Sequence, residues 1–221
     1  MSLRVMITGT TGMIGEGVLM ECLANPQVAA VLSVSRKPTG MMDPKLKEFI
    51  VPDFLKLSDD EENLRGYDAC FFCAGVSSIG MNESDYNRIT YDTTIHFAKV
   101  LVDQDPQMTF IYVSGAATDS SEKGRLMWAR VKGRTENALL NMPFKRVYNF
   151  RPGLVKLAPG QKNALTLYKY FAWLFPLLKV VLPNGTSTMQ QVGRAMINSV
   201  LFGYEKNVLE VKDINKLGAL Q

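Results

Sequence analysis

The first 24 residues constrain the fold more than any other stretch. An apolar run, Leu3–Thr8, passes directly into Gly9-Thr10-Thr11-Gly12-Met13-Ile14-Gly15, and a helical pattern follows over Met13–Ala24. Glycines spaced G-x-x-G-x-x-G between a strand and a helix each meet a geometric need. Gly9 allows a sharp turn out of the strand. Gly12 has no Cβ to keep a bound group off the backbone, and Gly15 lets the helix lie close to the strand. The helix start then offers unpaired N–H groups and a partial positive charge to an anion. The loop therefore reads as a cradle for a dinucleotide pyrophosphate, formed by Gly9, Thr11, Gly12, Met13, Ile14 and Gly15.

The pattern beyond this loop repeats the strand–helix theme. Leu3–Thr8, Ala29–Val34, Phe49–Val51, Ala69–Ala74, Thr109–Ser114 and Arg146–Phe150 read as six strands. They lack in/out alternation, as expected of strands covered on both faces. Met13–Ala24, Ser84–Asp103 and Gly124–Asn141 read as helices between them. Alternation of this kind predicts an α/β fold, a doubly wound, mostly parallel Rossmann sheet that binds ligands at its strands' carboxyl ends. The character changes after Arg151-Pro152-Gly153. Residues 1–153 are expected to form the dinucleotide-binding core. Residues 154–221 are expected to form a small helical lid or substrate region on the same domain, over the carboxyl edge. That tail should hold a helix near Met189–Leu201, a strand Asn207–Val211 and a terminal helical turn.

The end of the second strand decides between the two nicotinamide dinucleotides. NAD sites place a carboxylate there for the ribose 2′-hydroxyl, about 20 residues beyond the loop. This chain has Ser33-Val34-Ser35-Arg36-Lys37, with two cations and no acid. Guanidinium suits bidentate recognition of a 2′-phosphate, so Arg36 and Lys37 favour NADP(H) over NAD(H). Asp53, just past the third strand, is a candidate for the adenine amino group.

Composition excludes several classes. The net charge is +4 over 221 residues, with no Lys/Arg run of five, which argues against nucleic acid. Cys22, Cys70 and Cys73 make no disulfide framework. Cys70-Phe-Phe-Cys73 lies in an apolar strand, where residues three apart point to opposite faces, and the single histidine, His96, sits in a helical pattern. Buried thiols, rather than a metal site, are expected. The N-terminus has no leader-like apolar stretch, so the expected location is cytoplasmic. Leu165–Leu182 is the most apolar stretch, yet Lys169, Lys179 and Pro176 make it a poor spanning helix.

These segments resemble the short-chain dehydrogenase/reductase superfamily, in its atypical or extended branch with the NmrA-like, Tat-interacting oxidoreductase-like and epimerase-like proteins. The resemblance covers nearly the whole chain. It rests on the glycine loop, Phe72-Cys73-Ala74-Gly75, Val113-Ser114-Gly115-Ala116, Val131-Lys132-Gly133 and Phe150-Arg151-Pro152-Gly153. It implies cofactor contacts at Cys73, Ala74, Gly75, Lys132, Pro152 and Gly153. It also implies a Ser, Tyr, Lys set, in which lysine lowers the tyrosine pKa and the phenol moves a proton as hydride is transferred. Ser114 and Lys132 match the catalytic positions. The tyrosine position holds Trp128, whose indole N–H donates but does not titrate near neutrality. Tyr112, two residues from Ser114 on the strand, and Tyr86 and Tyr91 are candidate replacements, although Tyr112 is expected to be packed in the sheet.

Two functions remain open. One is an NADP(H)-dependent oxidoreductase or epimerase-like enzyme for a small carbonyl or sugar-like substrate. The other is a non-catalytic NADP(H)-sensing regulator that binds a protein partner. The 165–182 segment, apolar almost all round, has three readings: a roof over the pocket, a homo-oligomer or partner surface, or a membrane-surface contact.

Overall fold

The computed structural model describes residues 2–163, 175–182 and 184–220. Seven strands form one sheet in the order β3-β2-β1-β4-β5-β6-β9. They are β1 (Leu3–Thr8), β2 (Val28–Ser35), β3 (Leu46–Ile50), β4 (Ala69–Phe72), β5 (Thr109–Val113), β6 (Arg146–Arg151) and β9 (Val208–Glu210). Every neighbouring pair is parallel. A separate parallel pair joins β7 (Leu154–Lys156) to β8 (Thr186–Thr188). The order reverses direction between β1 and β4, which opens a crevice at their carboxyl ends. This is the doubly wound fold the sequence predicts.

The unbroken apolar strands are explained by two cores, one on each face of the sheet. Val5, Ile7, Phe71, Ile111 and Tyr148 point to one face. There they meet Val18, Leu19 and Cys22 of α1 (Met13–Ala24) and Val192, Ala195 and Met196 of the tail helix Met189–Phe202. Met6, Cys70, Phe72, Phe110 and Tyr112 point to the other. That side is covered by α3 (Thr93–Gln104), which follows the short α2 (Glu83–Asn87), and by α4 (Met127–Leu140). Phe72 is the aromatic hub there, its ring 5.8 Å from Phe97, 6.0 Å from Phe110 and 6.2 Å from Tyr112.

Three boundaries differ from the sequence reading. The third strand is Leu46–Ile50, beginning three residues and ending one residue before the expected Phe49–Val51. It is the sheet edge, where Lys47 and Glu48 stay exposed, so charge hides it from an apolar search. The helix expected over Ser84–Asp103 is interrupted by a π-helical turn at Arg88–Asp92 between α2 and α3. Helix α4 begins at Met127 rather than Gly124, because Asp119 accepts the Gly124 N–H at 2.6 Å and ties that residue into a loop.

The tail is partly built into the core. After β7 the chain forms α5 (Phe175–Val181), β8 and α6 (Met189–Phe202), then β9 and α7 (Val211–Gly218). β9 extends the sheet beyond β6, and α6 packs on α1 and α7. A Thr188–Gln191 capping box starts α6, each side chain taking the other's backbone N–H. Of the segment 165–182, expected to serve as a roof, an oligomer or partner surface or a membrane contact, residues 165–174 lie outside the described residues, and the rest holds the short helix α5.

Candidate active site at the carboxyl ends of the strands

The glycine loop has the geometry its spacing demands. Gly9 has φ +68°, and a Cβ there would stand 2.6 Å from the Ala74 nitrogen, so both handedness and space call for glycine. A Cβ on Gly15 would fall 2.1 Å from the Gly9 carbonyl oxygen, so α1 meets the loop backbone with no room for a side chain. Gly12 is the α1 N-cap and carries no side-chain cap, which leaves the helix start unblocked. Thr11 and Gly12 are exposed, Met13 and Ile14 half-buried. The Ala74 N–H donates to the Thr8 hydroxyl at 3.1 Å, so the loop Cys73-Ala74-Gly75 is fastened to the end of β1, across the crevice.

The flanking candidates follow the carboxyl ends of β2, β3 and β6. Arg36 and Lys37 are exposed at the end of β2, and among the described residues neither joins an ion pair. The Ser35 hydroxyl donates to the Lys37 carbonyl at 2.6 Å and bends that turn. Asp53 is exposed, and its carboxylate caps a short 3-10 turn by accepting the Leu55 N–H at 3.1 Å. Pro152 is buried and its carbonyl accepts the Ala116 N–H at 3.0 Å, which joins the loops after β5 and β6.

The catalytic candidates are arranged differently from the resemblance. Lys132 and Trp128 lie four apart on α4 and share a helical face. The Lys132 ammonium donates to the Ser114 carbonyl, and burial pulls its pKa down to about 8 against an opposing pull from Glu136. The Ser114 hydroxyl is buried and turned inward. It donates to Glu136 Oε1 at 2.5 Å, with the Phe150 carbonyl at 3.1 Å.

The sequence reading missed the centre of this network. Glu136 is fully buried, and Arg151 binds both its oxygens, Nε to Oε1 at 3.0 Å and Nη2 to Oε2 at 2.5 Å. Arg151 also reaches Glu210 at 3.0 Å and Ser120 Oγ at 2.5 Å. The hydrogen bond to Glu136 holds the guanidinium above its usual pKa. The available signals were the spacing of Glu136, one helical turn after Lys132, and the place of Arg151 at a strand end. Neither reveals the pairing across α4 and β6.

Two of the three candidate replacement tyrosines are packed into the core. Tyr112 is 1% exposed against Phe72, as expected, and burial pushes its phenol well up. Tyr86 is buried and shifted upward for the same reason. Tyr91 lies under the Arg134 guanidinium, 4.3 Å from its ring centroid. Cys70 and Cys73 pack toward opposite faces, and burial raises both thiols, Cys73 to about 12.

Comparison with known proteins agrees with this architecture. The family model described as NAD dependent epimerase/dehydratase matches residues 5–124, more than half of the chain. The chain belongs to the NAD dependent epimerase/dehydratase family. The matched span runs from β1 through the loop after β5, and so contains the glycine loop and the loop after β4. Among curated relatives of this family member, the protein fmp52 of Emericella nidulans is 26% identical over 210 residues, covering 90% of this chain and 87% of its own. FMP52 of Debaryomyces hansenii is 26% identical over 159 residues, covering 71% and 68%. MoeE5, solved with UDP-glucose and NAD, superimposes with a TM-score of 0.67 at 16% identity, covering 98% of this chain and 81% of its own. UDP-glucuronic acid 4-epimerase from Bacillus cereus, solved with NAD, gives 0.66 at 14% identity, covering 95% and 76%. At such identities these structures establish the fold.

The same relatives correct the expected cytoplasmic location, since fmp52 and FMP52 are both named mitochondrial proteins. Nothing in the packing of a sheet records a compartment, and the first residues of the chain were a poor guide to it. No helix among the described residues is long and apolar enough to cross a membrane.

Proposed function

We propose that this protein binds NADP(H) in the crevice between β1 and β4 and acts as an oxidoreductase or epimerase-like enzyme on a small carbonyl or sugar-like substrate. The observation that carries the reading is the pairing of an uncapped helix start behind Gly9–Gly15 with exposed, unpaired Arg36 and Lys37 at the end of β2. The pyrophosphate is held by backbone N–H groups at Met13 and Ile14, and the 2′-phosphate by Arg36 and Lys37. Cys73, Ala74 and Gly75 line the crevice from β4, with Asp53 beyond β3 and Pro152 and Gly153 after β6. The nicotinamide supplies hydride chemistry when bound. Lys132 holds the ribose end and can carry a proton near neutral pH, since burial brings its pKa to about 8. The named relatives support a mitochondrial setting for this activity.

A second reading is favoured by two specific features. Trp128 stands in for the phenol, and the Ser114 hydroxyl is spent on Glu136, so neither of the usual groups serves a substrate oxygen as the resemblance implies: the indole moves no proton and the hydroxyl is engaged. In this reading the protein senses NADP(H) and signals to a protein partner.

Titrating NADPH and NADH against wild type and Arg36→Ala tests the cofactor. NADPH binds more tightly to wild type, and Arg36→Ala weakens NADPH by roughly tenfold to a hundredfold while sparing NADH. Equal affinities in wild type overturn the assignment. NADPH oxidation across a carbonyl panel then separates enzyme from sensor.

A further inference from the structure

Helix α1 carries a buried acid with no role in the cofactor reading. Glu16 stands in its first turn, one residue after Gly15, and is 1% exposed. Both carboxylate oxygens are filled by main-chain N–H groups from the tail: Lys162 on Oε1 at 2.9 Å and Asn163 on Oε2 at 2.6 Å. The neighbouring Gln161 makes a second tie, donating to the Met13 carbonyl at 2.5 Å and accepting the Ala158 N–H at 3.2 Å.

These contacts follow one stripe of the helix. Met13, Glu16, Gly17 and Met20 recur at i, i+3, i+4 and i+7. Gly160 lies against Met20, Gln161 against Gly17 and Met13, and Lys162 and Asn163 against Glu16. The tail therefore packs along the first two turns of α1. A carboxylate in a first turn is favoured by the helix dipole, yet burial is costly unless it is fully hydrogen-bonded. The two tail N–H groups meet that need, so the acid and the tail depend on each other.

We infer that Glu16 is a positioning residue that couples dinucleotide binding to the docking of the 158–163 segment on α1. The inference rests on the cofactor reading above, because the same helix turn offers its N–H groups to the pyrophosphate on one side and is tied to the tail on another. Docking stiffens the turn in its phosphate-ready shape, and by linkage a bound dinucleotide must tighten the docking.

The test measures NADPH affinity together with hydrogen exchange at the Lys162 and Asn163 amides. In wild type, NADPH increases protection of both amides. Glu16→Ala exposes them, abolishes the NADPH-dependent protection and raises the Kd for NADPH between about fivefold and a hundredfold. Glu16→Gln, which keeps one acceptor oxygen, falls between the two. Gln161→Ala cuts the second tie with Glu16 intact and also weakens NADPH. If Glu16→Ala does not fold, Gln161→Ala decides the matter. An NADPH Kd within about twofold of wild type in a folded variant whose tail amides exchange freely overturns the coupling. Wild type that binds neither NADPH nor NADH overturns the cofactor reading itself, and does so before any variant is compared.

Discussion

The Ser114 hydroxyl donates to the buried Glu136 carboxylate at 2.5 Å, facing into the protein. The serine that resembles a catalytic donor is thus part of a structural network with Arg151. Removing one partner of a buried ion pair strands the other charge. Glu136→Ala is expected to cost about 3–5 kcal/mol, measured by urea unfolding. Ser114→Ala loses only a hydrogen bond to a charged group, about 1.5–3 kcal/mol, and leaves NADPH affinity unchanged. A large loss of NADPH affinity in Ser114→Ala would show that the hydroxyl turns outward when the site is filled.

The Gly15 position makes a sharper prediction. A methyl group there would stand 2.1 Å from the Gly9 carbonyl, and that atom belongs to backbone and has little room to move. Gly15→Ala therefore pushes α1 off the loop. The variant is expected to lose about 1–3 kcal/mol and dinucleotide binding with it. Calorimetric titration with NADPH reads the second effect, and normal binding would contradict the loop assignment.

Lys132 links stability to pH. Its pKa falls from the usual 10.5 to about 8 on folding, chiefly through burial. Between those values the unfolded chain binds the extra proton, so this group makes the protein more stable as pH rises from about 8 toward 10.5. Below pH 8 both states are charged and the burial cost stands in full. Lys132→Met removes this dependence. Unfolding curves of the two proteins at pH 7, 8, 9 and 10 should show wild type gaining on the variant throughout the upper range.

Trp128 predicts weak chemistry. General acid–base assistance is worth about 10²–10⁴ in rate, and an indole cannot supply it. In the sensor reading, wild type is expected to be nearly inert toward simple carbonyls with NADPH. Trp128→Tyr places a phenol one helical turn before Lys132 and should raise turnover on the same panel. Robust wild-type activity that falls in Trp128→Tyr would mean the site works by another route.

The glycine loop, the alternation of strands and helices and the parallel doubly wound sheet were all legible in the sequence, because each leaves a signature of spacing or apolar runs in a short stretch of chain. Spacing alone puts Gly9, Gly12 and Gly15 at a strand-to-helix turn, and continuous apolar runs mark strands covered on both faces. What local pattern could not reveal are contacts between distant parts of the chain. Glu136 and Arg151 are 15 residues apart and Glu16 is 146 from Lys162, and a charged residue in a sequence looks solvated until its partner is known. The start of the edge strand Leu46–Ile50, read from the sequence as Phe49–Val51, was hidden for the same reason, since its charges are tolerated by its place at the rim of the sheet. Tertiary structure alone decided that the Ser114 hydroxyl points inward: a buried carboxylate on α4 lies within reach, and a buried carboxylate must be supplied with donors.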